Sequence, residues 1–368
     1  MAIKPLTIAI ENEVLNRIQQ KLNNAVISPI PADQGWEKGT SIEYMLELLE
    51  YWKDKYDWRK QEAKLNRWKH YKATINKSDI HFIHEKGKGE NPKPIILTHG
   101  WPDSFYRFDK IIELLTNPQD GGQSYDVIIP SLPGFGFSDT FSLEDTPDLW
   151  VTLMKDELGY QEFYAAGGDI GAIITKKMAE KYPKIIKAIH LSEVGLPSGN
   201  EDILQTSNIV WDFAMALPAG IMQLGAFLLL QGSKPQTLAF ALNDSPLGYA
   251  AWVVEKFNDW TDNNGREENT FSKDELLTHI MIYLVSNTIQ SSLHTYYQWT
   301  KLTPTGYIAA PTAVLQFPKE PIVPPKEWVE SQVNLVRYSL SPSGGHFTAW
   351  ENPELFVSDL TAFFKNYI

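Results

Sequence analysis

No cysteine occurs in the 368 residues, so disulfides, thiol nucleophiles and cysteine-ligated metals are excluded together. Positive charge is scarce too: 33 Lys and Arg stand against 45 Asp and Glu, a net charge of -12. With no basic cluster to offset it, that surface repels a phosphate backbone, and nucleic acid is not an expected partner. The start of the chain lacks a basic segment followed by an apolar run and a small-residue cleavage site, so the expectation is a cytoplasmic protein without a membrane anchor. Apolar runs of bilayer length are nearly missing. The one approach is Phe213 to Leu230, where Gln223 is the only strongly polar side chain. Its Pro218, Gly220 and Gly225 point to a buried, broken helix rather than a span. Repeats, heptads and low-complexity linkers are absent. Neither a cofactor nor a metal is expected, and the chemistry falls to oxygen and imidazole.

What remains is a chain able to bury a core: 43% of its residues are hydrophobic and 21% charged, a globular balance. Residues 1–65 read as short amphipathic helices, with Val14, Leu15, Ile18 and Leu22 on one face, and are expected to form an arm wrapping the core. A hairpin follows at His70 to His84, with its turn at Asn76 to Asp79. From Pro94 the texture changes to short continuous apolar runs, PIILTH, YDVIIP, FYAAGG and KAIHLS, separated by helical stretches, which is the pattern of a parallel sheet buried on both faces. Strand rhythm stops over 196–305, where Trp, Phe, Tyr and Leu are frequent, and resumes with PTAVLQF and NLVRYS. The organisation expected is therefore an arm (1–65), a first core segment (66–195), an inserted helical cap (196–305) and a second core segment (306–368). The fold class is α/β.

Sheets of this kind place their chemistry outside the carboxyl ends of the strands, and three loops stand there. Gly167-Gly168-Asp169-Ile170-Gly171 follows FYAAGG and precedes a helix. It is the small-x-nucleophile-x-small pattern of a strained strand-to-helix turn, with Asp where serine is commoner. A carboxylate is ionised at neutral pH and attacks saturated carbon without a base, which rules out ester hydrolysis by a serine route. An isolated Asp at a helix start is usually only a cap, but the preceding strand and paired glycines argue for a nucleophile. The same turn aims the Ile170 N–H at the site, and the Trp101 N–H of His99-Gly100-Trp101-Pro102, after PIIL, is placed to be the second oxyanion donor. Pro102 suits a cis bond, and His99 reads as a structural histidine of that loop. His346, after Gly344 and Gly345, completes the nucleophile-acid-base order of α/β-hydrolases and suits a general base. Two carboxylates follow strands from which the acid can come, Glu320 after PTAVLQF and Glu193 after KAIHLS.

Taken in order, THGWPDSFYRF, GGDIGA, ALNDSP, FPKEP and GGHFTAWENPEL resemble the epoxide hydrolase family, in particular the microsomal and juvenile-hormone type with an N-terminal arm. The resemblance spans nearly the whole chain. It implies an α/β-hydrolase fold with a mostly parallel eight-stranded sheet, Asp169 as nucleophile, Glu320 and His346 as the charge relay, and Tyr296 as a cap phenol that protonates the epoxide oxygen. Phe227 stands where a second family tyrosine is usual, and Tyr249 or Tyr283 are the alternative phenols. Trp101, Phe227, Tyr297 and Phe347 are expected in the substrate pocket. The implied reaction takes a small hydrophobic epoxide and water to a diol. The exposed side of the cap is the candidate contact for a homodimer. Two rivals are a haloalkane or haloacid dehalogenase using the same Asp-His pair, and a silent or ring-closing member that binds an apolar ligand.

Overall fold

The computed structural model describes residues 3–27, 35–194, 207–223, 227–263 and 270–368. Among the described residues nine strands form one sheet: β1 (Ile3–Leu6), β2 (His70–Ile75), β3 (Ser78–Glu85), β4 (Lys93–Thr98), β5 (Tyr125–Pro130), β6 (Phe163–Gly167), β7 (Ile186–Leu191), β8 (Ile308–Gln316) and β9 (Val333–Leu340). Their order is β1-β2-β3-β5-β4-β6-β7-β8-β9. β1, β2, β3 and β5 pair antiparallel, and every pairing from β5 through β4 to β9 is parallel. The expected eight strands thus become nine. The extra one is β1, four residues whose Pro5 speaks against a strand but is tolerated here because β1 lies on the sheet edge.

Ahead of β2 lie α1 (Asn12–Asn23), α2 (Ile42–Asp54) and α3 (Trp58–Leu65). The core also carries α4 (Ile112–Thr116), α5 (Thr146–Val151) and α6 (Ile170–Lys181). Between β7 and β8 come α7 (Asn208–Gln223), α8 (Phe227–Ser233), α9 (Pro235–Asp244), α10 (Pro246–Trp260), α11 (Lys273–Ser286) and α12 (Ile289–Trp299). α13 (Lys326–Gln332), α14 (Thr348–Glu351) and α15 (Pro353–Phe364) follow β8. Ile95, Ile96, Leu97, Val127, Ile128 and Ile189 are fully buried, as strands covered on both faces require.

The N-terminal helices are tied to the helices between β7 and β8. Thr40 Oγ1 donates to Ala251 O at 2.7 Å, Tyr51 and Gln61 both reach the Asp274 carboxylate, and Tyr56 meets Thr278. This explains why Leu22, Leu48 and Trp52, far from the sheet in sequence, are buried.

The apolar stretch Phe213 to Leu230 is divided between α7 and α8, and it is in its exposure that α7 departs from the expected buried helix. It runs through Pro218 and Gly220, while Gly225 lies outside the described residues. Ile209, Trp211, Met215 and Met222 stay about half exposed, because α7 rests on α13 mainly through Val210 and Phe213 against Trp328. Among the described residues no helix is long and apolar enough to cross a membrane.

Burial is the leading cause that lowers the pKa of His70, His81, His84, His99 and His279, with His84 and His99 pushed down to about 4. The unfolded chain binds these protons below about pH 6.5 while the folded chain refuses them, so stability falls on acidification through that window. Glu193 and Glu351, the latter raised to about 7, together with His346, raised by its neighbouring carboxylates, act in the opposite sense because the folded chain takes their protons first. The five lowered histidines outnumber these three groups. A thermal scan should give a lower Tm at pH 5 than at pH 7, and an unchanged or higher midpoint at pH 5 would mean these imidazoles titrate freely in the folded protein.

Candidate active site

Asp169 sits between β6 and α6 with φ 55 and ψ -128, a backbone conformation that side chains rarely adopt and that surrounding structure must hold. What holds it is the loop after β4. The Trp101 N–H donates to Asp169 Oδ1 at 2.9 Å, and the Ile170 N–H also serves the carboxylate. Gly100 has to lack a side chain here, since a Cβ would fall 2.2 Å from that same Oδ1. Gly167 closes β6, and Gly171 lies in the first turn of α6, packed on the Thr98 carbonyl. Burial raises the Asp169 pKa, while His346, the two amides and Arg107 oppose the rise. About 20% of the side chain remains open, on the side of the cavity.

His346 leaves β9 behind Gly344 and Gly345, and its N–H is anchored on Trp260 O at 2.8 Å. Its Nε2 lies 4.0 Å from Asp169 Oδ2, too far for a direct hydrogen bond and wide enough for a water between them. Nδ1 is 3.1 Å from both oxygens of Glu320 and 3.7 Å from Glu193 Oε2. The loops after β7 and β8 therefore bring both candidate acids to the same imidazole, with Glu320 in the better hydrogen-bonding position. Burial alone would lower the His346 pKa, but Glu193, Glu320 and Asp169 outweigh it and push it up to about 10. Asp169, Glu193 and His346 converge as closely as the ligands of a metal would, within 4.8 Å. Nδ1 is nevertheless engaged with Glu320 and Glu193 with Arg107, so the arrangement is that of a hydrogen-bonded relay.

A cavity of about 110 Å³ opens over these groups. Ile170, Ile173, Phe227, Leu228, Trp260, Tyr296, Trp299, Pro321 and Ile322 line it beside Asp169, Glu193, Glu320 and His346. Of the four expected pocket residues, Phe227 lies in the wall. Trp101 backs that wall, stacked on Phe227 with ring centroids 5.4 Å apart, and Phe347 supports His346 from outside the lining while stacking on Phe257 at 4.1 Å. Tyr297 is elsewhere: one position along α12 turns it away from Tyr296, under Lys301 Nζ at 3.8 Å and beside His294. The alternative phenols are also elsewhere. The Tyr283 hydroxyl donates to Asp103 O, and Tyr249 packs on Tyr283; neither lines the cavity.

His99 is fully buried and accepts the Leu132 N–H on Nε2 at 3.0 Å, holding loop to loop. The Trp101–Pro102 peptide is cis. Sequence reasoning missed three supports of this region. His279 on α11 donates to Pro102 O beside the Tyr283 bond to Asp103 O, so one helix grips the whole turn. Arg107 is buried, bonded to Asp103 Oδ2 at 2.7 Å, Glu193 Oε1 at 3.3 Å and His346 O at 2.7 Å. Asp103 and Arg107 stand four apart inside THGWPDSFYRF, a spacing that signals an ion pair; nothing in the sequence marks His279.

Two family models match the chain: the epoxide hydrolase N terminus over residues 3–108 and the alpha/beta hydrolase fold over residues 93–353. Epoxide hydrolase 1 of Oryctolagus cuniculus is 34% identical, with 98% of this chain and 88% of that protein covered. Juvenile hormone epoxide hydrolase 1 of Ctenocephalides felis is 30% identical over 100% of this chain and 86% of its own length. The juvenile hormone epoxide hydrolase structure from Bombyx mori superposes with a TM-score of 0.88 at 27% identity, covering 100% of this chain and 95% of that one.

Proposed function

The chain belongs to the epoxide hydrolases of α/β-hydrolase fold, of the microsomal and juvenile-hormone type, and from that premise we propose that it opens hydrophobic epoxides through an ester on Asp169. The observation that carries this reading is the asymmetry of the carboxylate. Oδ1 takes the Trp101 N–H, whereas Oδ2 faces His346 across 4.0 Å.

Oδ2 attacks a ring carbon, the carbon–oxygen bond breaks, and the leaving oxygen takes the proton of Tyr296. Burial, then the charges of Asp169 and Glu193, hold that phenol far above its ordinary pKa, so it is protonated at neutral pH and suited to donate. Ester formation erases one of the three anions that keep His346 protonated, which lowers its pKa, and the imidazolium proton passes to the Tyr296 phenolate, restoring the phenol and leaving a neutral base. His346 then takes a proton from water, the hydroxide adds to the Asp169 carboxyl carbon, and negative charge develops on Oδ1 among donors already in place. The diol leaves with the former Oδ2 and the proton of the new carboxylic acid, and Asp169 is again a carboxylate beside the imidazolium. Single turnover in heavy-oxygen water tests this: the label should enter Asp169 and be missing from the first diol released. Label in the first diol, with Asp169 unlabelled, would mean direct attack of water on the ring.

Ile170, Ile173, Leu228 and Ile322 favour an apolar substrate, such as a terpene, fatty-acid or styrene-type epoxide. Phe227 lies edge-on to Tyr296 with centroids 5.8 Å apart, close enough for a hydroxyl there to share the ring oxygen. Phe227→Tyr is therefore expected to raise kcat on simple epoxides, by up to about a hundredfold if it matches an oxyanion-hole donor. A steady-state assay with an unchanged or lower kcat would place the second donor elsewhere.

A further inference from the structure

We propose that Glu193 is a second carboxylate for His346, positioned by Arg107, which shares the imidazolium charge with Glu320 and sustains the histidine when Glu320 is removed. The proposal rests on the ester route above and adds a positioning residue to it. Glu193 Oε2 is 3.7 Å from His346 Nδ1, against 3.1 Å for Glu320, and both acids lie in the cavity lining.

The simpler role, that Glu193 neutralises Arg107, is already filled. Asp103 holds the same guanidinium at 2.7 Å, closer than Glu193 at 3.3 Å. A buried carboxylate without a task is costly, yet the fold makes room for this one. A Cβ on Gly168 would fall 2.7 Å from Glu193 Oε1 and 2.9 Å from Arg107 Nη2, so the glycine preceding the nucleophile lets this pair reach the imidazole. Arg107 Nη2 also donates to His346 O, tying Glu193 and the histidine to one group. Behind Glu193, Lys176 Nζ donates to Val194 O at 2.6 Å and fixes the chain.

The charged and titratable groups around His346 are Asp169 at the turn, Glu193 after β7, Glu320 after β8, Glu351 on α14, Tyr296 on α12, and Arg107 with Asp103 after β4. Removing the Glu193 charge leaves fewer anions to stabilise the imidazolium, so its apparent pKa must fall.

Single-turnover kinetics on Glu193→Gln, Glu320→Gln and the double variant test this, with ester formation on Asp169 followed by mass and ester hydrolysis followed across pH. Glu193→Gln should form the ester at nearly the wild-type rate and shift the pH profile of hydrolysis down by about one to two units. Glu320→Gln should hydrolyse the ester more slowly, by about 10²-fold, and the double variant by about 10⁴-fold or more, exceeding the product of the single losses. Glu193→Asp, which keeps the charge, should restore the profile toward wild type and serves if the Gln variant does not fold. An unshifted profile in Glu193→Gln, or a double variant no slower than Glu320→Gln, overturns the proposal. Ester formation in these variants shows the Asp169 route intact, whereas its absence in the wild type would strike that route instead.

Discussion

Asp169→Asn is expected to lower turnover on the order of 10⁶-fold while leaving the fold intact, since a nucleophile removed from a working relay costs about that much. The amide nearly preserves the shape of the carboxylate, and its oxygen can still accept the Trp101 N–H that now reaches Oδ1 at 2.9 Å. What disappears is the negative charge that opens the ring, together with one of the anions that raise His346. Rate measurements on a panel of aliphatic, aromatic and terpenoid epoxides should fall in parallel. A substrate spared by the substitution would be opened by some other group.

The second large effect separates the two halves of the reaction. In His346→Gln the attack of Asp169 on the ring needs no base and should proceed, whereas hydrolysis of the ester loses its proton acceptor and should slow by about 10²- to 10⁴-fold. The enzyme then forms the ester and stalls on it. Intact-mass measurement should show one substrate equivalent on Asp169, with diol released only at the slowed rate of ester hydrolysis. Should the variant hydrolyse epoxide steadily without accumulating an adduct, the imidazole would not be the base for the second step.

The chemistry was legible because it follows strands. β4 and β6 announce themselves as continuous apolar runs and β8 and β9 as a return of strand rhythm, and Asp169, Trp101, Glu320 and His346 come in the loops that follow them, so placing the strands places the side chains. What escaped depends on packing between distant segments. Tyr297 and Tyr296 are neighbours on one helix, and only the contact of α12 with α8 and α9 decides which faces the cavity. Arg107 lies in a stretch read for its loop backbone, and its value emerges only when β7 brings Glu193 to it. α7 carries the composition of an interior helix, yet its neighbour α13 is too short to cover it. Four residues containing Pro5 cannot declare a strand without the edge of β2 to pair with.

The tethering of the first helices to α11 has a mechanical implication. Tyr51, Gln61 and Tyr56 pull on Asp274 and Thr278 in the first half of that helix, and His279, next to Thr278, and Tyr283, a turn beyond it, seize the carbonyls of Pro102 and Asp103. Trp101, whose amide serves the reacting carboxylate, is the next residue back. Strain applied near residue 51 thus has a load path of one rigid rod to the reaction centre, and a lesion at the periphery would be felt first as a misaimed amide.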